Sequence, residues 1–187
     1  MDFYEVIEKR RTMRKFKSRA TAEQLKRILN AGIKAPSPAN RQGWEFVVVD
    51  DPELVEKISE RKYVLNRGNK PRGEQVPPET EKGAEAQKDS FANASLVLVY
   101  HRAGVADAAG AWMCIENMSL AAVAEGLGSR IAAFFGGADK DINQLLKVPE
   151  GYELAAALSI GVPAQEPGAR NLRPEGSCLH RNRFKKK

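Results

Sequence analysis

The chain has 187 residues, 42% of them apolar and 29% charged, a balance that suits one soluble domain with its own core and excludes disordered, collagenous and membrane-spanning classes. Its formal charge of +6 invites a nucleic-acid or acidic-membrane partner, yet Arg181, Arg183, Lys185, Lys186 and Lys187 in the last seven residues supply five of those six charges. Two cysteines and two histidines exclude a disulfide framework and an ordinary zinc site; with no secretory leader and no long apolar run, the expected setting is a reducing cytoplasm.

Residues 2–11 place Phe3, Val6, Ile7 and Arg10 at three- and four-residue spacing, which predicts a short amphipathic helix ending in a basic cluster. Residues 12–17 form a short strand or an extended arm. Thr21 and Gln24 have the form of a capping box, and behind them Leu25, Ile28, Leu29, Gly32 and Ile33 mark one face of a second helix. Pro36 and Pro38 stop it, and the loop 35–43 leads into the strand WEFVVV at 44–49. Asp51 caps the next helix with Pro52 in its first position; Leu54, Val55 and Ile58 form its apolar side. From 61 to 89 the chain turns polar and rich in proline and glycine, predicting a mobile excursion with one helix turn, a candidate lid.

Residues 96–100 read as a buried strand. Residues 107–126 give the longest helix, apolar nearly all round, so it lies mid-fold or at a subunit interface; Gly126-Leu127-Gly128 ends it. A strand over 130–135, a short helix over 139–147 capped by Asp139, and a buried strand over 154–161 follow. After Pro163 there is no periodicity, only an extended arm (164–187) that does not pack on its own core. The whole, 1–187, reads as a single α+β domain.

Three stretches could carry chemistry. Arg10, Arg11, Thr12 and Arg14 put three guanidiniums and a hydroxyl within five residues, a workable phosphate clamp because arginine forks onto phosphate oxygens; alone, the same run reads first as a solvated basic face. The loop 36–44 presents Ser37, Asn40 and Gln42 just before a buried strand, where they could also simply satisfy loop backbone. Gly126-Leu127-Gly128-Ser129 and Gly136-Gly137-Ala138-Asp139 free the backbone for a flat ligand, the second pair just before a helix N-terminus. Neither a dinucleotide fingerprint nor a P-loop is present.

In this order the motifs make the sequence similar to the nitroreductase family of FMN-dependent oxidoreductases over nearly its whole length. The family's R-R-S-x-R is matched by Arg10, Arg11, Thr12 and Arg14. Its A-P-S-x-x-N-x-Q-P-W is matched by Ala35, Pro36, Ser37, Asn40, Gln42 and Trp44, and its G-L-G-[ST] by Gly126, Leu127, Gly128 and Ser129. The closing P-E-G-x-E and the strand ending G-x-P are matched by Pro149, Glu150, Gly151, Glu153, Gly161 and Pro163.

The resemblance implies a central, mostly antiparallel sheet flanked by helices, in an intertwined homodimer with an extended C-terminal arm and two FMN sites built from both chains. Arg10, Arg11, Thr12 and Arg14 would bind the FMN phosphate, and Pro36, Ser37 and Asn40 would reach the partner's flavin. Backbone at Gly136 and Gly137 would lie near flavin N5; Gln87 is the nearest mid-chain polar contact, and the late phosphate-binding residue is Arg170 or Arg173. Three departures stand out: Gly43 replaces a proline, Arg130 and Ile131 stand where small or aromatic residues are common, and Gly136 replaces a residue that often presents a side chain.

The implied activity is ping-pong transfer of a hydride from NADH or NADPH through FMN to a small planar acceptor, nitroaromatic or quinone-like, with the cofactor carrying the chemistry and no catalytic side chain required. A specialised relative doing dehalogenation, dehydrogenation or flavin breakdown is the alternative. Nucleic acid ranks last as a partner, since aromatics are only 7% and no helix-turn-helix, finger or RNP signature occurs. His101 reads as a strand-end residue, Cys114 as core, His180 as tail, and Trp112 and Met113 as interface packing.

Overall fold

The computed structural model describes residues 1–184; Lys185, Lys186 and Lys187 of the basic tail lie outside the described residues. Six helices and five strands follow the chain in the order α1 (Phe3–Lys9), β1 (Phe16–Arg19), α2 (Ala22–Gly32), β2 (Trp44–Val49), α3 (Pro52–Asn66), α4 (Pro78–Asp89), β3 (Ser95–Arg102), α5 (Val105–Ala124), β4 (Gly128–Ala132), α6 (Ala138–Leu145) and β5 (Tyr152–Pro163). Single 3-10 turns occupy Pro38–Asn40 and Glu175–Cys178.

The strands form one sheet in the order β1-β5-β3-β2, with β4 on the flank of β5, and every strand pairing is antiparallel. β5 is the hub. It pairs with β3 along most of its length, with β4 from Ala157 to Gly161, and with β1 at its end. Residues of β3 and the middle of β5 are buried on both faces, because helices cover both. On one face α5 and α2 pack Ile28, Ala111, Cys114, Ile115 and Met118 against Val97, Val99, Leu158 and Ile160. On the other, α3 and α6 bring Ile58 and Ile142 against Leu96, Leu98, Tyr100 and Phe134. This is the α+β, antiparallel architecture expected.

Local signals act where the sequence places them. Thr21 and Gln24 form a reciprocal capping box, and the Asp51 carboxylate accepts from the Glu53 N–H at 2.8 Å with Pro52 in the first turn. Several boundaries shift by about two residues, as where α5 ends at Ala124 and Gly128 already belongs to β4, and two differences stand out. α6 is capped not by Asp139 but by Gly137, whose φ of 88° gives the turn that enters the helix. β4 stops at Ala132 rather than 135, and the next carbonyl, that of Ala133, accepts from Lys62 at 2.6 Å.

The polar stretch 61–89 holds far more helix than one turn: the end of α3 and all of α4. Apolar periodicity misses it because the inner face of α3 is polar. Ser59, Lys62, Tyr63 and Arg67 recur at helical spacing and are all buried. Arg67, 4% exposed, donates from Nε to Glu81 at 2.8 Å and from its terminal nitrogens to the carbonyls of Lys70 at 2.8 Å, Glu74 at 2.5 Å and Pro71. The Tyr63 hydroxyl donates to the same Glu81. Lys88 joins Glu56 and Glu60 at 2.6 and 2.8 Å on the outside. A buried charge clasp therefore holds α3 to α4. Arg67→Ala removes the guanidinium that ties Glu81 to three loop carbonyls, so it should lower the urea midpoint and open 67–77 to protease first; wild-type stability and cleavage would contradict this.

Candidate functional site

One edge of β4 pairs with β5. Among the described residues, the other edge is met only where Thr12 forms a parallel bridge to Ser129, and the Met13 N–H donates to the Ser129 carbonyl at 2.9 Å. The end of α1 converges on this point. Arg10 closes the helix and its guanidinium lies 3.6 Å from Glu116 on α5. The Arg10 carbonyl accepts from Arg170 at 2.5 Å, and Arg11 donates to the Ala169 carbonyl at 3.3 Å. Arg10, Arg11, Thr12, Arg14 and Arg170 thus gather at the start of β4. Arg173 is exposed three residues further on and makes no polar contact among the described residues, so Arg170 is the late arginine that reaches the cluster. Arg14 opens onto a hollow of about 380 Å³ shared with Lys15, Lys82, Gln165 and the carboxylates Glu85 and Asp89.

Further along β4 lie the residues that sequence reasoning undervalued. Arg130 is 3% exposed: one terminal nitrogen donates to the Gln87 side-chain oxygen, the guanidinium sits 5.2 Å from the Phe91 ring centre, and Nη1 has no hydrogen-bond partner. Lys62 reaches in from α3, 5% exposed, with its Nζ on the Ala133 carbonyl and 5.3 and 5.5 Å from the rings of Phe134 and Phe135. Burial, and then the charge of Arg130, pull the Lys62 ammonium down to about 8; burial, and then Arg14, pull Arg130 down to about 10. Among the described residues no carboxylate lies within ion-pair reach of Arg14, Arg130 or Lys62. Only the run of buried polar positions on α3 could have pointed to Lys62. Arg130 showed itself solely as a motif departure.

Gly136 and Gly137 follow with φ of 62° and 88°, carrying the chain from the Lys62 contact into α6 with no side chain in the way. Gln87 stands on α4 facing Arg130, which places it with this row.

The loop 35–43 is a separate, strained piece. Ala39, Asn40 and Gln42 adopt φ of 49°, 55° and 48°, left-handed values that non-glycine residues hold only when neighbours enforce them. Here the Ser37 hydroxyl accepts from the Gln42 N–H at 3.0 Å, the Gln42 amide donates to Asn40 Oδ1 at 3.0 Å, and Arg41 pairs with buried Asp107 of α5 at 2.9 Å. Asp107 also explains Gly43: a Cβ there would sit 2.6 Å from the Asp107 carboxyl carbon, so no proline fits. Pro36 is exposed. No hydrogen bond or ion pair among the described residues joins this loop to Arg10, Arg11 or Arg14; within one chain the two groups stay apart.

The nitroreductase family model matches residues 7–162, from α1 to the end of β5. The chain belongs to the nitroreductase family. A Methanothermobacter thermautotrophicus protein provisionally named an NADH dehydrogenase/NAD(P)H nitroreductase is 28% identical over 180 residues, covering 92% of this chain and 83% of that one. An iodotyrosine deiodinase of Thermotoga neapolitana is 25% identical over 168 residues, 86% of this chain and 88% of its own. Among solved structures, an FMN-dependent nitroreductase of Clostridium difficile aligns with a TM-score of 0.76 at 28% identity over 97% of this chain and all of that one. Family membership makes the chain an oxidoreductase.

Lys62 supplies a pH test. Its folded value lies below the ordinary lysine value of 10.5, so between about pH 8 and 10.5 the unfolded chain binds more protons and stability rises with pH. The ligand-free protein should gain about 2 kcal/mol relative to Lys62→Met across that window in chemical denaturation. Parallel curves for the two proteins would contradict it.

Proposed function

We propose that the chain is an FMN-dependent oxidoreductase that accepts a hydride from NADH or NADPH and delivers it to a small planar acceptor, nitroaromatic or quinone-like, in a ping-pong cycle. One observation carries the reading beyond family membership: the cations Arg14, Arg130 and Lys62 lie beside β4, act on one another, and among the described residues have no carboxylate within ion-pair reach. Such a row fits a ligand with a phosphate at one end and a polar, electron-accepting ring at the other.

The residues present suit FMN. Arg10, Arg11, Thr12, Arg14 and Arg170 offer forked and hydroxyl donors for its phosphate, where charge-assisted hydrogen bonds are strong. Gly136 and Gly137 leave backbone bare for the ring, and Gln87 stands beside it with both donor and acceptor capacity. FMN, when bound, supplies hydride acceptance and release. The chain's own part is to bind, orient and exclude water. Cys114 and His101 stay out of the chemistry: the Cys114 thiol is buried in the α5 core and pushed up to about 12, and His101 is buried in β3 with Nδ1 2.8 Å from the Arg102 carbonyl.

The same reading makes the working form a homodimer. The strained loop bearing Pro36, Ser37 and Asn40 makes no hydrogen bond or ion pair with its own arginine cluster among the described residues, and in this reading it serves the site of a second copy. Phe3, Tyr4 and Ile7 on α1 and Trp112 on α5 expose the apolar surface that such a copy would cover. No helix among the described residues is long and apolar enough to cross a membrane; the cytoplasm is the proposed setting. The likeness to a deiodinase supports a second reading, a reductive dehalogenase using the same flavin.

Anaerobic stopped-flow absorbance decides between them. Bound flavin should be bleached by NADH or NADPH and restored by a nitroaromatic or quinone, and Arg14→Ala should weaken FMN binding about tenfold, the worth of one charged hydrogen bond. Bleaching with recovery only by a halogenated phenol would select the dehalogenase. No bleaching by either nucleotide, or unchanged affinity in Arg14→Ala, would overturn the assignment.

A further inference from the structure

Five of the chain's six net positive charges lie in its last seven residues, RNRFKKK, and the flavin reading gives them nothing to do. The last acid in the chain is Glu175. Two apolar side chains accompany the basic run, Leu179 at 63% and Phe184 at 87% exposed, and the Phe184 ring rests on His180 with centres 4.6 Å apart. The arm that carries this segment is fastened at its root. There the Ala164 N–H donates to the Lys15 carbonyl at 2.9 Å, and Ala169 and Arg170 meet Arg11 and Arg10. At the other end Arg181 and Arg183 are exposed, and neither side chain has an ion-pair or hydrogen-bond partner among the described residues. Beside the root, Lys9 at the end of α1 and Lys15 and Lys17 at β1 are exposed and unpaired in the same sense. Basic side chains therefore stand at both ends of the arm.

The chain's own charge does not answer this segment. Residues 1–180 sum to only +1, and a second copy would bring another +6 rather than an anion. The complementary surface is therefore external and anionic. We propose that residues 179–187 form a basic tail that docks reversibly on an anionic lipid surface, its cations over the headgroups and Leu179 and Phe184 entering the interface. Each lysine or arginine held at such a surface strengthens binding roughly fivefold, and the attraction fades within the screening length, about 10 Å at 0.1 M salt. Either signal alone is marginal, whereas charge combined with apolar insertion holds a protein at the bilayer. A polynucleotide suits the segment less well. Sites for single strands line a groove with aromatic side chains on which successive bases stack, and here Phe184 stands alone beside a leucine. Docking does not depend on the flavin, since no residue from 179 onward is among those assigned to FMN.

Flotation with lipid vesicles tests this on the full chain, on a chain lacking 181–187 and on Phe184→Ser. One set of vesicles is phosphatidylcholine alone; the other carries about one-third phosphatidylglycerol. Wild type should bind the anionic vesicles at least about a hundredfold more tightly than the neutral ones, and salt raised to about 0.5 M should release it. Deleting 181–187 should abolish that preference while melting temperature and FMN affinity stay as in wild type. Phe184→Ser should weaken binding about tenfold, the worth of one inserted aromatic side chain. Equal binding to both vesicles, binding retained by the shortened chain, or an unchanged Phe184→Ser would overturn the inference. So would a shortened chain that melts lower or loses FMN affinity, because the tail would then serve the protein itself. Tighter binding to single-stranded RNA of mixed sequence than to the anionic vesicles at the same salt would make nucleic acid the partner and overturn it too.

Discussion

Charge buried without a counter-charge is the constraint that organises this molecule. Arg130 and Lys62 lie in the wall beside β4 with no carboxylate to answer them; Arg130 weakens the hold of Lys62 on its proton, and Arg14 does the same to Arg130. The rest of the fold must hold them there. It does so with a sheet whose central strands, β3 and β5, are sandwiched between helices, and with a charge clasp at Arg67 that pins the α3–α4 hairpin carrying Lys62 and Gln87. Stability invested in those places offsets the cost of burying cations without a counter-charge, the pattern expected of preorganised electrostatics.

The same logic separates two kinds of strain. In the loop 35–43 the left-handed residues are locked locally, by Ser37, by Gln42 and by the Arg41–Asp107 pair, so its shape is set before any partner arrives. At β4 the strain is electrostatic, and in the proposed function a bound anion relieves it. A preformed loop presented to a neighbouring copy, and a cation row awaiting an anion, are complementary halves of one composite site in the proposed dimer.

Much of this is legible in the sequence. Capping at Thr21 and Asp51, the buried run of β3 and the apolar α5 follow from periodicity and turn chemistry, and the motifs at 10–14, 35–44 and 126–129 mark the family by their residues and order alone. What is not legible has physical reasons. The α3–α4 hairpin buries arginine, lysine, serine and tyrosine rather than leucine, so hydrophobic periodicity cannot see it. Asp139 loses its capping role because two left-handed glycines already turn the chain. Gly43 reads only as a missing proline until the fold brings Asp107, far along the chain, against it. Arg130 stands out in the sequence only as an exception to a pattern; its burial and its orphan nitrogen are properties of three dimensions.

The central claim is that the uncompensated cations beside β4 exist for a phosphorylated flavin. Fluorescence titration of the ligand-free protein with FMN and with riboflavin tests it most directly, because the two differ only in the phosphate. The account predicts quenching that saturates at one FMN per chain, with riboflavin weaker by about a hundredfold, the worth of two charged hydrogen bonds. Equal affinity for the two flavins, or no quenching by FMN, would contradict it.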